Sequence, residues 1–126
     1  MSAKQRGSAW ETEVCRYLRE RGWEAWRVLP STNDKEQGAD RGRGAFDVIA
    51  TRSSEHSFEI RLIEAKATKT PFSTFSPGQR QALLTAARRV HGEFGMPGLR
   101  VVPLLAWKKK GQREPVLIPS SDWPGS

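Results

Sequence analysis

The chain has 126 residues, 37% hydrophobic and 28% charged, with a formal net charge of +7. That size fits one compact domain, and that balance excludes a disordered chain. No apolar run reaches membrane-helix length, no signal-peptide stretch opens the chain, and the single Cys15 excludes an internal disulfide, so a cytosolic protein is the default expectation.

Residues 1–7 read as a short basic arm. "SAWE", Ser8 to Glu11, has the S-x-x-E form of a capping box and predicts a helix start there. Trp10, Val14, Tyr17 and Leu18 follow at helical spacing as far as Gly22, and "WEAWRVL" then predicts a first strand. Residues 30–45 are polar and glycine-rich, which predicts a long mobile loop. "FDVIATR" and "FEIRLIEAKAT" predict two strands paired as a hairpin around "SSEHS". In "SPGQ", Ser76 can cap a second helix with Pro77 at its first position, and Leu83, Leu84, Ala87 and Val90 line one face. "LRVVPLLAW" and "PVLIP" predict two strands around the basic turn "KKKGQRE", with Pro103 confining part of the former to an edge or bulge. Residues 120–126 form a tail. The order α-β-β-β-α-β-β gives a single α/β domain with a mixed sheet.

The charge is unevenly spread. Residues 66–113 hold ten Lys or Arg against Glu93 alone, a net of +9, which leaves −2 for the remainder. Such an imbalance favours a polyanionic partner, because each neutralised phosphate releases condensed counterions.

Within "RLIEAKATK", period two places Glu64 and Lys66 on one strand face with Ala65 opposite. Charges in so apolar a strand are costly unless paired or bound to an ion. The hairpin would bring Asp47 to the same sheet end. Two carboxylates there can hold a hard divalent cation through oxygen, and a nearby lysine can orient or deprotonate water. The ordinary reading is a turn aspartate and a surface ion pair worth little energetically. The segment "GRG" lacks the lysine and hydroxyl of a P-loop, so no nucleotide cofactor is expected. His56 and His91 read as structural or surface residues, and the five tryptophans as core or interface.

Asp47 followed by Glu64-Ala65-Lys66 resembles the signature of the PD-(D/E)XK nucleases. "RGSAWETEVCRYLRERGWEAWRVLPS" is similar to the N-terminal helix and strand of the archaeal-type Holliday junction resolvases. "FDVIA", "LIEAKATK" and "AARRVHG" continue the likeness over residues 4–110. The resemblance implies a restriction-endonuclease-like α/β fold with a five-stranded mixed sheet, and an Mg²⁺-dependent endonuclease for which Mn²⁺ can substitute. Glu11 matches the family's N-terminal catalytic glutamate, Asp47 and Glu64 its metal-binding carboxylates, and Lys66 its catalytic lysine. Ser31 falls at a catalytic-loop serine, and Ala65 joins Glu11, Asp47 and Glu64 in the metal set. Phe46 stands where the family has proline, and the segment from Ser31 to Asp47 is longer than usual.

The implied substrate is branched DNA, a four-way junction cut by paired nicks within a homodimer. Apolar material for that dimer lies at Phe72, Phe75, Leu104, Leu105 and Trp107. Lys4, Arg6, Arg27, Arg41, Arg43 and Lys69 flank the site in sequence and are expected to contact phosphates, which position DNA without reading its bases. Two other readings fit the same residues. One is a restriction- or repair-type nuclease of this superfamily acting on duplex or flap DNA; the other is a non-catalytic DNA-binding module of the same fold.

Overall fold

The computed structural model describes residues 3–28 and 45–125, with side chains from residue 7 onward. Helix α1 spans Ala3–Glu20, β1 Glu24–Arg27, β2 Val48–Ser53 and β3 Phe58–Lys66. Then come a one-turn helix α2 (Pro71–Thr74), α3 (Pro77–Phe94), β4 (Leu99–Trp107), β5 (Val116–Pro119) and a 3-10 turn at Ser120–Asp122.

The five strands lie in sequence order, β1 to β5. Only β3 and β4 run parallel; the other three pairs are antiparallel. The reason is the connection: β2–β3 and β4–β5 are joined by short stretches without a crossover, whereas α3 carries the chain back before β4 begins. The ends of β3 and β4 therefore meet at one edge of the fold, with Lys66 opposite Trp107.

The sheet divides the core in two. On one face Trp10, Val14, Cys15 and Leu18 of α1 pack on Val48, Ala50, Ile63 and Ala106. On the other, Phe75, Leu83 and Ala87 pack on Ile60, Leu62 and Leu105. Period two in the strands supplies both faces at once, so β3 reads as nearly continuous apolar sequence. The tail contributes as well: Trp123 is 3% exposed and stands edge-on to Phe75 at 4.9 Å.

Two helix starts test the capping rules differently. Ser76 accepts from the Gln79 amide while the Gln79 side chain accepts from the Ser76 amide, a complete capping box ahead of Pro77. Gly95 ends α3 in the left-handed region at φ 52°. The Ser8–Glu11 box expected for α1 does not form. The helix begins at Ala3, so Ser8 lies inside it and its carbonyl accepts from Thr12 Oγ1 at 3.1 Å. Glu11 is thereby free of capping and turns to Arg27.

The edge that Pro103 marks is confined to residues 99–103, because β5 pairs Leu104 through Trp107; the expectation of interface surface on this strand and at Phe75 is corrected. Pro103 sits just outside that pairing, where a missing amide costs nothing on the β5 side. Leu104, Leu105 and Phe75 are 6%, 0% and 0% exposed, so all three belong to the core and offer no interface surface. Phe72 and Trp107 remain half-buried. Among the described residues, the large exposed apolar side chains are Trp26, Phe94 and Met96.

Candidate active site

The site forms where β2 begins and β3 ends. Val48 pairs with Ile63, and the Asp47 amide donates to the Ile63 carbonyl at 2.8 Å. Asp47 thus stands across from Glu64, on the same face of the sheet. Its Oδ2 accepts from the Ala65 amide at 2.9 Å, which fixes the carboxylate against β3. An amide and carbonyl of one strand residue face the same side, so the Ala65 carbonyl also faces Asp47.

Glu64 is the one buried charged residue among those described, at 7% exposure. Its carboxyl is pushed up to about 9, first by burial, then by the charge of Asp47 and a hydrogen bond shared with it. Lys66 opposes that rise with Nζ 3.5 Å from Glu64 Oε1. Ion-pair geometry and raised pKa pull in opposite directions here. Burial and Asp47 prevail, so at neutral pH and without a cation Glu64 holds a proton against Asp47.

Glu11 arrives from α1. Its carboxyl is also raised, by burial and then by Asp47, while Arg27 lowers it from 3.4 Å away. Two carboxyls from different elements therefore both feel Asp47. Among the described residues, no three His, Cys, Asp or Glu side chains close on one point as an ion-holding group. The donor set nevertheless suits a hard cation: Asp47, Glu64 and the Ala65 carbonyl offer only oxygen, and Mg²⁺ keeps several of its waters. A pair of carboxyls that must share a proton to coexist is also a pair that a cation would relieve.

The remaining site expectations divide by position. Arg27 is half-buried and engaged with Glu11, which makes it part of the site wall rather than a free phosphate contact. Lys69 is exposed just past the end of β3. Lys4 and Arg6 lie on the first turns of α1, and their side chains fall outside the described residues, as do Ser31, Arg41 and Arg43 altogether.

The sequence marks the β4–β5 turn as basic, and the structure adds that it stands beside Lys66. Because β3 and β4 are parallel, Lys108 follows directly after the partner of Lys66, and its amide donates to the Lys66 carbonyl at 2.9 Å. The signal was present in the β-α-β order, since a helical crossover returns the second strand parallel to the first.

Among the described residues no helix is long and apolar enough to cross a membrane. No curated protein matches the chain. The family model described as archaeal Holliday junction resolvase (Hjc) matches residues 2–122. With nearly the whole chain matched, and with the five-stranded mixed sheet of the PD-(D/E)XK nucleases, this protein belongs to the archaeal Holliday junction resolvase family.

Proposed function

We propose that this chain is a Mg²⁺-dependent endonuclease that resolves four-way DNA junctions by paired nicks, with Mn²⁺ able to substitute. The observation that carries this reading is the meeting of Asp47, Glu64 and Lys66 at one sheet end with Glu11 beside them.

In this reading Asp47, Glu64 and the Ala65 carbonyl would hold the cation. When bound, the cation supplies charge stabilisation at the scissile phosphate and acidifies water. The Asp47–Ala65 hydrogen bond keeps one carboxylate aimed before substrate arrives. With a cation held there, Glu64 would stand as the carboxylate, its proton released to solvent, 3.5 Å from the Lys66 ammonium. Lys66 holds the attacking water or a phosphate oxygen with its ammonium. Glu11 and Arg27 close the α1 side, where Arg27 keeps the Glu11 carboxyl oriented.

Two symmetric nicks need two such sites, and a two-fold homodimer supplies them through one repeated interface. The test offers purified protein and Mg²⁺ a synthetic four-way junction beside linear duplex of matched sequence. Preferential nicking of the junction at symmetric positions supports the reading. Equal cutting of both substrates would make this a nuclease without junction preference.

A further inference from the structure

Three lysines in a row, Lys108, Lys109 and Lys110, form the turn between β4 and β5, and they stand at the sheet end that carries Lys66. The root of this turn is fastened to the site. Lys108 donates its amide to the Lys66 carbonyl at 2.9 Å, and Trp107 Nε1 donates to the Thr68 carbonyl at 2.7 Å. The turn itself is closed by the Gln112 amide on the Lys109 carbonyl at 3.1 Å.

Two of the lysine heads, those of Lys108 and Lys109, lie near aromatic rings without being neutralised. Lys108 Nζ lies 5.7 Å from the centre of the Trp10 ring, and Lys109 Nζ 5.8 Å from that of Trp107. An aromatic face attracts an ammonium but leaves its charge intact. Among the described residues no carboxylate pairs with any of the three, and all three are exposed. Arg113, further along the same connection, instead lines a cleft of about 120 Å³ shared with the Arg16–Glu13 and Arg21–Glu114 ion pairs.

We infer that Lys108, Lys109 and Lys110 form a phosphate grip for the DNA strand on the β5 side of the cut, an inference that rests on the nuclease reading of the site. Lys110 lies three residues past Trp107, the partner of Lys66. At roughly 3.3 Å per residue the turn reaches at most about 10 Å beyond the site. Phosphates of one strand recur about every 3.4 Å along the helix axis, so the grip falls within a few nucleotides of the scissile bond. A turn kept charged only for solubility needs neither that position nor a root hydrogen-bonded to the backbone of Lys66.

The test is a triple Lys→Gln variant at 108, 109 and 110, compared with a triple Lys→Arg variant. Binding to a four-way junction and to linear duplex is titrated against salt without Mg²⁺, and junction cleavage is followed with it. Losing three phosphate contacts should lower the log–log salt slope by about 2.7, at about 0.9 per contact. We expect affinity at moderate salt to fall at least tenfold, kcat at saturating junction to stay within about twofold, and the Arg variant to keep both the affinity and the salt slope of the wild type. Lys110→Gln alone, at an exposed position, should lower the slope by about one and guards against a misfolded triple variant. An unchanged slope in the folded variants overturns the grip, as does an altered oligomeric mass with an unchanged slope, which would make the turn a contact between copies. If the wild type cuts no junction yet the slope on duplex still drops, the grip stands and the junction reading falls.

Discussion

The Oδ2 atom of Asp47 accepts a 2.9 Å hydrogen bond from the amide of Ala65, the residue between Glu64 and Lys66. One side chain thereby ties the start of β2 to the end of β3 and sets the spacing of the carboxyl pair. Asp47→Asn keeps an oxygen for that amide and removes the charge facing Glu64. Asp47→Ala leaves the amide without its partner, at a cost of about 1–3 kcal/mol if water cannot replace it. In metal-free buffer at pH 8 we therefore expect Asn to be the more stable of the two variants, by denaturant unfolding. Equal stability would mean the hydrogen bond contributes nothing to the hairpin end.

Stability should also depend on pH through Glu64. Its carboxyl is raised from 4.5 to about 9 in the folded chain, so the folded state binds the extra proton between those values. Folding stability is then full below about pH 4.5 and is lost as pH rises towards 9, the reverse of an ion-paired carboxylate. Glu11 is raised too and acts in the same direction. Metal-free Tm should fall between pH 5 and 9, and Glu64→Gln should flatten the decline and raise Tm at the alkaline end. A Tm that climbs with pH in wild type would contradict the buried, protonated pair.

The two neighbouring phenylalanines should behave differently. Phe75 is fully buried against Trp123, so Phe75→Ala should cost about 3–5 kcal/mol. Phe72 is half-buried beside it, with ring centres 6.4 Å apart. A charged residue at 75 should unfold the domain, whereas Phe72→Glu should leave it folded and report on dimer formation by light scattering. If Phe75→Glu folds normally, the core on this face is misassigned.

Gly98 joins the two ends of β3 and β4 opposite the site. A Cβ there would lie 2.5 Å from the His56 carbonyl oxygen, and its φ of 79° disfavours any other residue. The Gly98 carbonyl meanwhile accepts from the Phe58 amide at 3.1 Å. Gly98→Ala must push the hairpin turn away, and we expect a loss of more than about 1 kcal/mol in denaturant unfolding. A neutral outcome would show that the 54–57 turn shifts freely.

Much of this was legible because local rules and tertiary packing agreed. Period two in "FEIRLIEAK", the Ser76–Pro77 start and the Asp47–Glu64–Lys66 spacing each predicted what the fold displays. The start of α1 was not legible. The S-x-x-E pattern at Ser8 is equally compatible with a helix interior, and the helix extends upstream to Ala3. Nor could strand sequence tell edge from centre: "LRVVPLLAW" carries a proline, yet β5 covers the half beyond it and buries Leu104 and Leu105. The lysine turn was visible as composition, but its nearness to Lys66 depends on a parallel pairing made by residues 99–107.

The central claim is that Asp47, Glu64 and Lys66 make the cut, and variants of these residues address it most directly. Four-way junction cleavage in Mg²⁺ or Mn²⁺ is measured beside junction binding in Ca²⁺, for wild type, Asp47→Asn, Glu64→Gln, Lys66→Ala and Glu11→Ala. Asn and Gln remove ligand charge, and Ala at 66 removes the ammonium that holds water or phosphate. Each should lower cleavage by about a thousandfold or more, on the order of 4 kcal/mol in the barrier, while binding changes only a few-fold. Glu11→Ala should lose cleavage without the capping penalty that a helix start at Ser8 would have brought. Near-wild-type cutting by Asp47→Asn or Lys66→Ala would contradict the account.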